Sequence, residues 1–291
     1  MHDYKRVMKK SRNYLFSALL TAFMAVFSLV YVFPFVLLCI NSFKPEKNIF
    51  NIRARIDFTY LENFKLVFGQ RGFFSAVMLT VIICIVTLTC AIFCSSLSGY
   101  IVSRATKGVI KKFYWIFVVT MIIPYQSGIA ILYNLGVKIG LINTVPYLIL
   151  IYLGGNVSYS SLVYYAFTKS IPRELEESAK MDGCGKFMTF YKIIFPLLLP
   201  ATGTIIATEV FWYWNDMQGP LIYLGAGIGR SPRTLMLFIN TFRVAISGSY
   251  SYQLYAPTSA LCLLSCIPMI IFFLCTQRYL IRGLVVGAVK G

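Results

Sequence analysis

Six long apolar stretches, none of which contains Lys or Arg, dominate the pattern of hydrophobic and polar positions: residues 15–40, 73–102, 113–135, 145–167, 193–213 and 258–277. The hydrocarbon core of a bilayer is about 30 Å thick, and about 20 apolar residues cross it as an α-helix. A helix also satisfies its own backbone hydrogen bonds, as a segment in lipid must. The pattern therefore predicts an all-α fold, a polytopic transmembrane helical bundle of about six spans.

The first and last apolar stretches have informative flanks. The run 15–40 follows a basic segment, but it is longer than the core of a signal peptide, so we expect a retained first helix. Pro257 precedes the last run, and Gln277 and Arg278 mark its end. These flanks predict a membrane domain over 15–277 between two short tails, 1–14 and 278–291.

The basic residues are concentrated in alternate connecting segments. The chain has 27 Lys+Arg against 10 Asp+Glu, a formal net charge of +17. Seventeen of the 27 lie in the two tails and in the segments 103–112 and 168–192, and ten lie in the other loops. Because basic loops stay on the cytoplasmic side, we expect both termini to be cytoplasmic. Charges placed beside lipid headgroups do not indicate a nucleic-acid partner.

Composition leaves little material for metal or catalytic chemistry. The hydrophobic fraction is 58%, and the only histidine is His2. The eight cysteines form no CxxC pair, and seven lie in apolar runs, so we interpret them as packing residues rather than zinc ligands. The motifs HExxH and GxSxG are absent, so a membrane-embedded enzyme is not supported. We predict no metal or cofactor bound by this chain.

The segment between the fourth and fifth predicted spans, residues 168–195, has the clearest local pattern. Pro172 suits the first turn of a helix, and three glutamates follow where negative charge meets the positive end of the helix dipole. Leu175, Ala179 and Gly183 are spaced by four, so they share one face that another protein could approach. Gly183 can end the helix. The pattern predicts an amphipathic helix, a turn and a second helix that runs towards the membrane.

This segment resembles the EAA loop of the permeases of ABC importers. The family pattern is Glu-Ala-Ala, three residues, Gly, nine residues, Ile, one residue, Leu-Pro. The present sequence reads Glu177-Ser178-Ala179, then Gly183, Ile193 and Phe195-Pro196 at the same spacing. Ser178 and Phe195 depart from the pattern conservatively.

The resemblance extends over most of the chain and is specific to the oligosaccharide, maltose-transporter type of permease. Supporting strings are Met181-Asp182-Gly183 and Trp214-Asn215-Asp216. The C-terminal segment from Gln277 to Gly291 resembles the MalG-like member of the permease pair. The N-terminal third matches in outline only.

The resemblance implies a set of partners. A second permease subunit forms a heterodimer with this chain, two ATPase subunits bind the EAA loops, and an extracytoplasmic solute-binding protein delivers a sugar. ATP and Mg²⁺ would be bound by the ATPase subunits, since Gly185-Lys186 is followed by Phe187 and makes no Walker A pattern. The chain itself would not be an enzyme. The implied location is the inner membrane of a bacterial cell.

The resemblance also assigns candidate residues to ATPase coupling, in the loop and in the C-terminal tail: Glu177, Ser178, Ala179, Asp182, Gly183, Lys290 and Gly291. The long outer loop 215–256, with a short interfacial helix over 233–246, is the candidate docking site for the binding protein. A simple interfacial cap is its alternative.

Glu209 is the ionisable residue that lies clearly inside a predicted span. A carboxylate at such a position usually faces a cavity or a partner helix. We therefore consider that it lines the sugar path or hydrogen-bonds across the subunit interface. Trp212, Tyr213, Trp214 and Asn215 follow it, with side chains of types that suit a sugar. Tyr213, Trp214 and Asn215 are further path candidates, with an interfacial aromatic belt as the alternative.

Two alternative functions remain open from the sequence. One is an ABC permease for a solute that is not a sugar, which would keep the same loop. The other is a proton-coupled secondary transporter, which would need several intramembrane ionisable residues, whereas the predicted spans offer Glu209.

Overall fold

The computed structural model describes residues 2–49, 51, 57–70, 72–106, 108–123, 125–225, 233–247 and 255–288. All regular elements in these ranges are helical, which confirms the predicted all-α class. The first half contains α1 (His2–Ser42), a 3-10 turn (Glu46–Asn48), α2 (Glu62–Gly69), α3 (Phe73–Arg104), α4 (Val109–Ile122), α5 (Tyr125–Lys138) and α6 (Val145–Lys169). The second half contains α7 (Glu174–Met181), α8 (Lys186–Thr189), a π-helix (Phe190–Ile194), α9 (Phe195–Leu197), α10 (Leu199–Asn215), α11 (Gln218–Tyr223), α12 (Leu235–Ser247) and α13 (Tyr255–Ala288).

The chain divides into two units, and the smaller comprises residues 1–69 and 249–264. Helix α1 belongs to it, and the side chains from Phe16 to Val36 are all exposed. A helix with apolar side chains exposed on every side is suited to lipid or to a partner helix. Within the same unit, Glu46 accepts the backbone N–H groups of Tyr255 and Ala256 at 3.1 and 2.7 Å, which caps the start of α13.

The larger unit comprises residues 70–248 and 265–291, and α6 lies at its centre. Three serines of α6 each bond a different helix. Ser158 accepts from Thr120 of α4 at 2.7 Å, Ser161 bonds Ser98 of α3 at 2.7 Å, and Ser160 donates to Glu209 of α10. Small hydroxyl side chains of this kind join helices where no water is available. The least apolar part of α6 therefore serves the interior of the bundle.

Close packing of α3 against α6 requires a glycine. A Cβ on Gly99 would lie 2.7 Å from both the carbonyl oxygen of Ser161 and the Cβ of Tyr164. The two backbones approach each other at this point because Gly99 has no side chain. Next to this contact, a buried apolar cluster joins α6, the π-helix and α10: Tyr164, Phe190, Ile194, Leu198, Ala201 and Ile205.

The spans differ from the predicted pattern in their continuity. Among the described residues, three helices are long and apolar enough to cross a membrane, or up to five if two bent helix pairs are each one span. These three are Phe16–Ser42, Phe73–Arg104 and Tyr255–Arg278. The 25-residue α6 is long enough to cross, but its serines and glycines make it less apolar. A count of six spans stays a prediction.

Two predicted spans are broken. The run 113–135 consists of α4 and α5, and Ile123 between them is extended, with ψ at 118°. The sequence places Pro124 next, and a residue before proline avoids the helical conformation. The run 193–213 is bent by 69° between Lys186–Leu197 and Leu199–Asn215, where Pro196 and Pro200 flank the break.

The structure also tests the predicted helix over 233–246 and the predicted end of the last helix. The short helix expected over 233–246 is confirmed as α12. The last helix does not end at Gln277 and Arg278, because α13 continues to Ala288. The predicted tail 278–291 is therefore largely a continuation of that helix, and polar residues alone did not stop it.

Candidate functional site

The predicted helix and turn of the loop 168–195 are present and have a defined end. Helix α7 carries three glutamates in its first turn. The N–H of Cys184 donates to the carbonyl of Ala179 at 2.9 Å, and the N–H of Gly183 donates to that of Lys180 at 3.1 Å. Gly183 has φ of +79°. This is a Schellman motif with glycine in the left-handed position, so the predicted role of Gly183 in ending the helix is confirmed.

The candidate coupling residues of the loop do not all face outwards. Glu177, Ser178, Asp182 and Gly183 are exposed, whereas Ala179 is only 3% exposed. The prediction that Ala179 belongs to a face open to another protein is wrong, because the residue packs against its own chain. The other two predicted members, Lys290 and Gly291, lie outside the described residues.

The helix after the turn is not continuous. It begins as α8, passes through one π-helical turn at Phe190–Ile194 and reaches the break at Leu198 before α10 starts. Apolar side chains beside the turn are nevertheless exposed, with Met181 at 88% and Phe187 at 65%. Together with Glu177, Ser178 and Asp182 they form an exposed surface, which we call the loop surface. Large exposed apolar side chains of this kind mark a place where another protein or lipid binds.

A group of charged and polar contacts ties α7 to the end of α3. The Nε of Arg104 donates to Oε1 of Glu176 at 2.6 Å, and the Tyr100 hydroxyl donates to Oε2 at 2.9 Å. The Nη2 of Arg104 also donates to the carbonyl of Ile171 at 3.0 Å. The side chains of Arg104 and Glu176 are only 14% and 20% exposed. We call these contacts the Glu176 clamp.

The sequence did not reveal this clamp. In the sequence, Glu176 is one of three glutamates at the start of a predicted helix, and Arg104 is one of the basic residues of a predicted cytoplasmic loop. The two residues are 72 positions apart. The only signal was their shared placement on the predicted cytoplasmic side, which several other residues have too.

A cavity of about 870 Å³ lies beside the clamp. The end of α3, α7 and the start of α8 form its walls. Its lining mixes charged groups, among them Arg104, Glu176 and Lys186, with the apolar side chains of Ile101 and Phe190. Helix α7 is therefore separated from the end of α3 by open space over part of its length.

Glu209 is buried within this chain. It is 3% exposed, and its two carboxylate oxygens accept hydrogen bonds from the Ser160 hydroxyl and, at 2.8 Å, from the Tyr213 hydroxyl. Lining the path and bonding across a subunit interface both stay predictions, since the contacts seen here are made within the chain. The donors that satisfy the carboxylate lie on α6 and on the next turn of α10.

Tyr213 and Trp214 are also buried, at 3% and 5% exposure. They are therefore neither open to a path nor part of an aromatic belt. Tyr213 stacks on Tyr152, with ring centroids 5.1 Å apart, and the Tyr152 hydroxyl donates to Asp216 at 2.8 Å. The series Ser160, Glu209, Tyr213, Tyr152 and Asp216 joins α6 to α10, and we call it the polar seam.

Asn215 is the one predicted path residue that is exposed. It lies on a pocket of about 450 Å³ at the end of α10, lined by Gln126, Thr208, Phe211, Trp212, Asn215, Asp216 and Gln218. Trp212 is 41% exposed. The sequence placed Trp212 beside the other candidates, but only the helix geometry shows that it faces the opposite way from Tyr213.

No three His, Cys, Asp or Glu residues in the described part of the chain are grouped so that they could hold a metal ion. All eight cysteines lie within it, and none of them forms a disulfide. Within the candidate docking loop 215–256, residues 226–232 and 248–254 lie outside the part of the chain that the structure describes.

Comparison with known proteins identifies the family. The sequence profile described as "Binding-protein-dependent transport system inner membrane component" matches residues 88–286. The chain belongs to this family. The match includes the loop 168–195, the Glu176 clamp and the polar seam, so the resemblance to ABC importer permeases is confirmed. It decides against a secondary transporter.

Several relatives match along almost their whole length. The chain is 31% identical to the "Probable starch degradation products transport system permease protein AmyC" of Thermoanaerobacterium thermosulfurigenes, covering 94% of this chain and 96% of that protein. It is 30% identical to the arabinooligosaccharides transport system permease protein AraQ of Bacillus subtilis, covering 94% and 95%. It is also 30% identical to the galactooligosaccharides transport system permease protein GanQ of the same organism, covering 97% and 98%.

Solved structures share the fold. A chain of a bacterial ABC transporter that imports the acidic polysaccharide alginate matches with a TM-score of 0.79 at 19% identity, covering 91% of this chain and 96% of that one. A second structure, of the alginate transporter in complex with an alginate pentasaccharide-bound periplasmic protein, matches with a TM-score of 0.67 at 18% identity. The helical architecture described above is thus that of an ABC importer permease.

Proposed function

We propose that this family member is the sugar-specific permease subunit of an ATP-driven importer in a bacterial inner membrane. It would form half of a transmembrane path together with a second permease subunit. The observation that carries the proposal is the loop surface: a capped helix that presents Glu177, Ser178 and Asp182, in a chain whose relatives are named for oligosaccharide transport.

The loop surface is the proposed docking site for an ATPase subunit. Glu177, Ser178 and Asp182 would contact it directly, and Met181 would add an apolar anchor. Ala179 and Gly183 would act through shape, since one packs inwards and the other sets the turn. ATP and Mg²⁺ belong to that partner, because this chain has no phosphate-binding glycine loop.

The remaining contacts follow from orientation. With the loop surface in the cytoplasm and the predicted six spans, both chain ends would lie on that side, and Lys290 and Gly291 would be further candidate contacts with the ATPase. The loop 215–256 would then face outwards, where an extracytoplasmic binding protein delivers its sugar. The exposed apolar side chains of α1 suit lipid or the second permease.

The sugar path is proposed to include the pocket at the end of α10. Binding sites for small molecules combine apolar and aromatic walls with a few well-placed polar groups. Trp212 and Phe211 offer aromatic surface, and Gln126, Asn215 and Gln218 offer amides that both donate and accept hydrogen bonds. An uncharged saccharide, which has hydroxyl groups and apolar ring faces, matches this chemistry.

Affinity purification of the tagged chain from its native membrane, followed by mass spectrometry, tests the proposal. We expect a second permease and an ATPase in defined ratio, and a sugar-binding protein when the complex is cross-linked first. A matched sample in which Ser178 and Asp182 are both replaced by Arg should retain the second permease and lose the ATPase. A chain recovered without any ATPase would contradict the proposal.

A further inference from the structure

We propose that Glu176 is a positioning residue that couples α7 to α3, so that a movement of α7 reaches α3 as well as α10. This inference rests on the proposed function, in which ATPase subunits move α7. Glu176 itself would not need to touch the ATPase. Its effect would come from the Glu176 clamp.

The clamp has the geometry of a specific, charge-assisted contact. Both oxygens of Glu176 are occupied, at 2.6 Å by Arg104 and at 2.9 Å by Tyr100. Arg104 makes a further bond to the carbonyl of Ile171 in the segment before α7, and Arg173 donates to the carbonyl of Arg104 at 3.4 Å. Hydrogen bonds to ionised partners are about twice as strong as neutral ones. Because the pair is mostly shielded, solvent screens it less than an exposed ion pair.

Helix α7 has little apolar packing that could replace these contacts. Helix α7 has eight residues, and Ala179 is its only buried member. The cavity of about 870 Å³ occupies the space between α7 and the end of α3 beside the clamp. Interhelical packing usually depends on interlocking side chains. Here the polar contacts of one carboxylate hold the short helix against the long one.

The two connections of α7 lead to different parts of the membrane domain. Along the chain, α7 continues through α8 and the π-helix to α10, past a 69° break. Across the clamp, it is joined to the last turn of α3, a continuous 32-residue helix. A bend absorbs part of a displacement, whereas an unbroken helix transmits it along its length. The clamp therefore gives α7 a direct connection to a spanning helix.

Hydrogen exchange of the affinity-purified complex tests this inference. The complex is compared with and without a non-hydrolysable ATP analogue and Mg²⁺, and exchange is followed in α7 and in the last two turns of α3. In the natural protein we expect the nucleotide to change exchange in both segments. In Glu176→Ala the change in α7 should remain, while the change in α3 should fall at least about threefold, because the connecting contacts are gone.

Variants of graded effect separate coupling from folding. Glu176→Gln keeps the shape and loses the charge, and Tyr100→Phe removes one of the two contacts, so both should reduce the α3 response less than Glu176→Ala. Glu174→Gln is the matched control, since it removes a negative charge from an exposed position of the same helix, and it should match the natural protein. Exchanging the two charges, Arg104→Glu with Glu176→Arg, should restore part of the response.

The results separate this inference from the proposed function. A natural complex that contains no ATPase would contradict the proposed function itself. A complex with ATPase in which Glu176→Ala leaves the α3 response unchanged would overturn the clamp alone. Loss of the assembled complex in Glu176→Ala, Glu176→Gln and Tyr100→Phe, with Glu174→Gln intact, would also overturn it, because Glu176 would then be a folding contact.

Discussion

Two buried or half-buried carboxylates of this chain, Glu176 and Glu209, have opposite surroundings. Glu176 is 20% exposed at the side-chain level and faces the guanidinium of Arg104 at 2.6 Å. Glu209 is 3% exposed, and the side-chain donors described for it are the neutral hydroxyls of Ser160 and Tyr213. The first contact joins segments at the edge of the bundle and is suited to transmit movement. The second joins two helices inside the bundle and is suited to hold them together.

The difference indicates how a polar group in a membrane protein should be interpreted. A carboxylate inside a span suggests a functional site by default. Here the Ser160 hydroxyl of α6 and the Tyr213 hydroxyl of α10 satisfy it within the chain, so we assign it a packing role. The carboxylate of Glu176 at the helix terminus, which looked like an ordinary dipole partner, instead joins α7 to the end of α3.

The largest expected effect comes from Gly183→Val, which disrupts the cytoplasmic side of this comparison. Gly183 has φ of +79°, where a β-branched residue is strongly disfavoured, so the Schellman turn and the loop surface should be distorted. We expect sugar uptake to fall about tenfold or more, with ATP hydrolysis no longer stimulated by substrate. Uptake into membrane vesicles measures this.

Gly185→Ala is the matched control for that change. Gly185 has φ of −68°, and a Cβ there would meet no atom within 4 Å. It should transport normally. Undiminished uptake in Gly183→Val would count against the loop as a coupling element.

Substitutions of Glu209 should affect stability rather than coupling. Glu209→Ala leaves the Ser160 and Tyr213 hydroxyls without their acceptor, at a cost of about 1–3 kcal/mol. Glu209→Gln retains an acceptor and should cost less than about 1 kcal/mol. The Tm of the purified complex compares the two variants. Loss of the complex in Glu209→Gln would show instead that a charge is required.

Trp212→Ala should sharpen the contrast between buried and exposed members of α10. Trp212 lies on the pocket, whereas its neighbour Tyr213 is buried. We expect the KM for sugar uptake to rise about threefold to tenfold, with basal ATP hydrolysis unchanged, as for the loss of one aromatic contact. Trp115→Ala is the control, since Trp115 is 66% exposed on α4. Equal effects of the two substitutions would contradict a sugar site at Trp212.

The smallest effect is expected for Lys65→Met. Lys65 and Glu62 form an exposed i,i+3 pair at 2.8 Å, and the hydrogen bond to Glu62 raises the pKa of Lys65. The pair is thus fully formed at neutral pH and would be lost only as the pH rises past the Lys65 pKa. Exposed ion pairs contribute little, so Tm and uptake at pH 7 should stay unchanged. A marked fall in Tm or uptake would contradict the view that the Lys65–Glu62 pair matters less than the Glu176 clamp because it is more exposed.

Much of the architecture could be predicted from the sequence because it depends on local patterns. The apolar runs gave the positions of α1, α3 and α6 within a few residues at most ends, although α1 begins earlier, at His2. The glycine spacing of the loop predicted the turn at Gly183, because a positive φ is a local property. The break near Leu198 had a local signal too, in Pro196 and Pro200, which the apolar run concealed.

The site residues were harder to predict because their environments depend on contacts between distant parts of the chain. Ala179 lies on a predicted apolar face, but nothing local shows that the face packs against its own chain. Ser160, which bonds Glu209, is 49 positions away from it, and Arg104, which bonds Glu176, is 72 positions away. Pairings at that separation follow from the packing of α3, α6, α7 and α10, which the one-dimensional pattern does not contain.

Site-specific photocrosslinking at Ser178 tests the central claim most directly. A photoreactive amino acid replaces Ser178, which is exposed on the loop surface, and native membranes are irradiated before mass spectrometry of the adducts. The same amino acid at Ile122, 73% exposed on α4, is the control. With the photoreactive amino acid at position 178, we expect an adduct with an ATPase whose sequence contains a Walker A motif. With it at position 122, we expect no such adduct. Adducts at Ser178 with lipid or other proteins only would contradict the assignment of α7 as the helix that receives the ATP-driven movement.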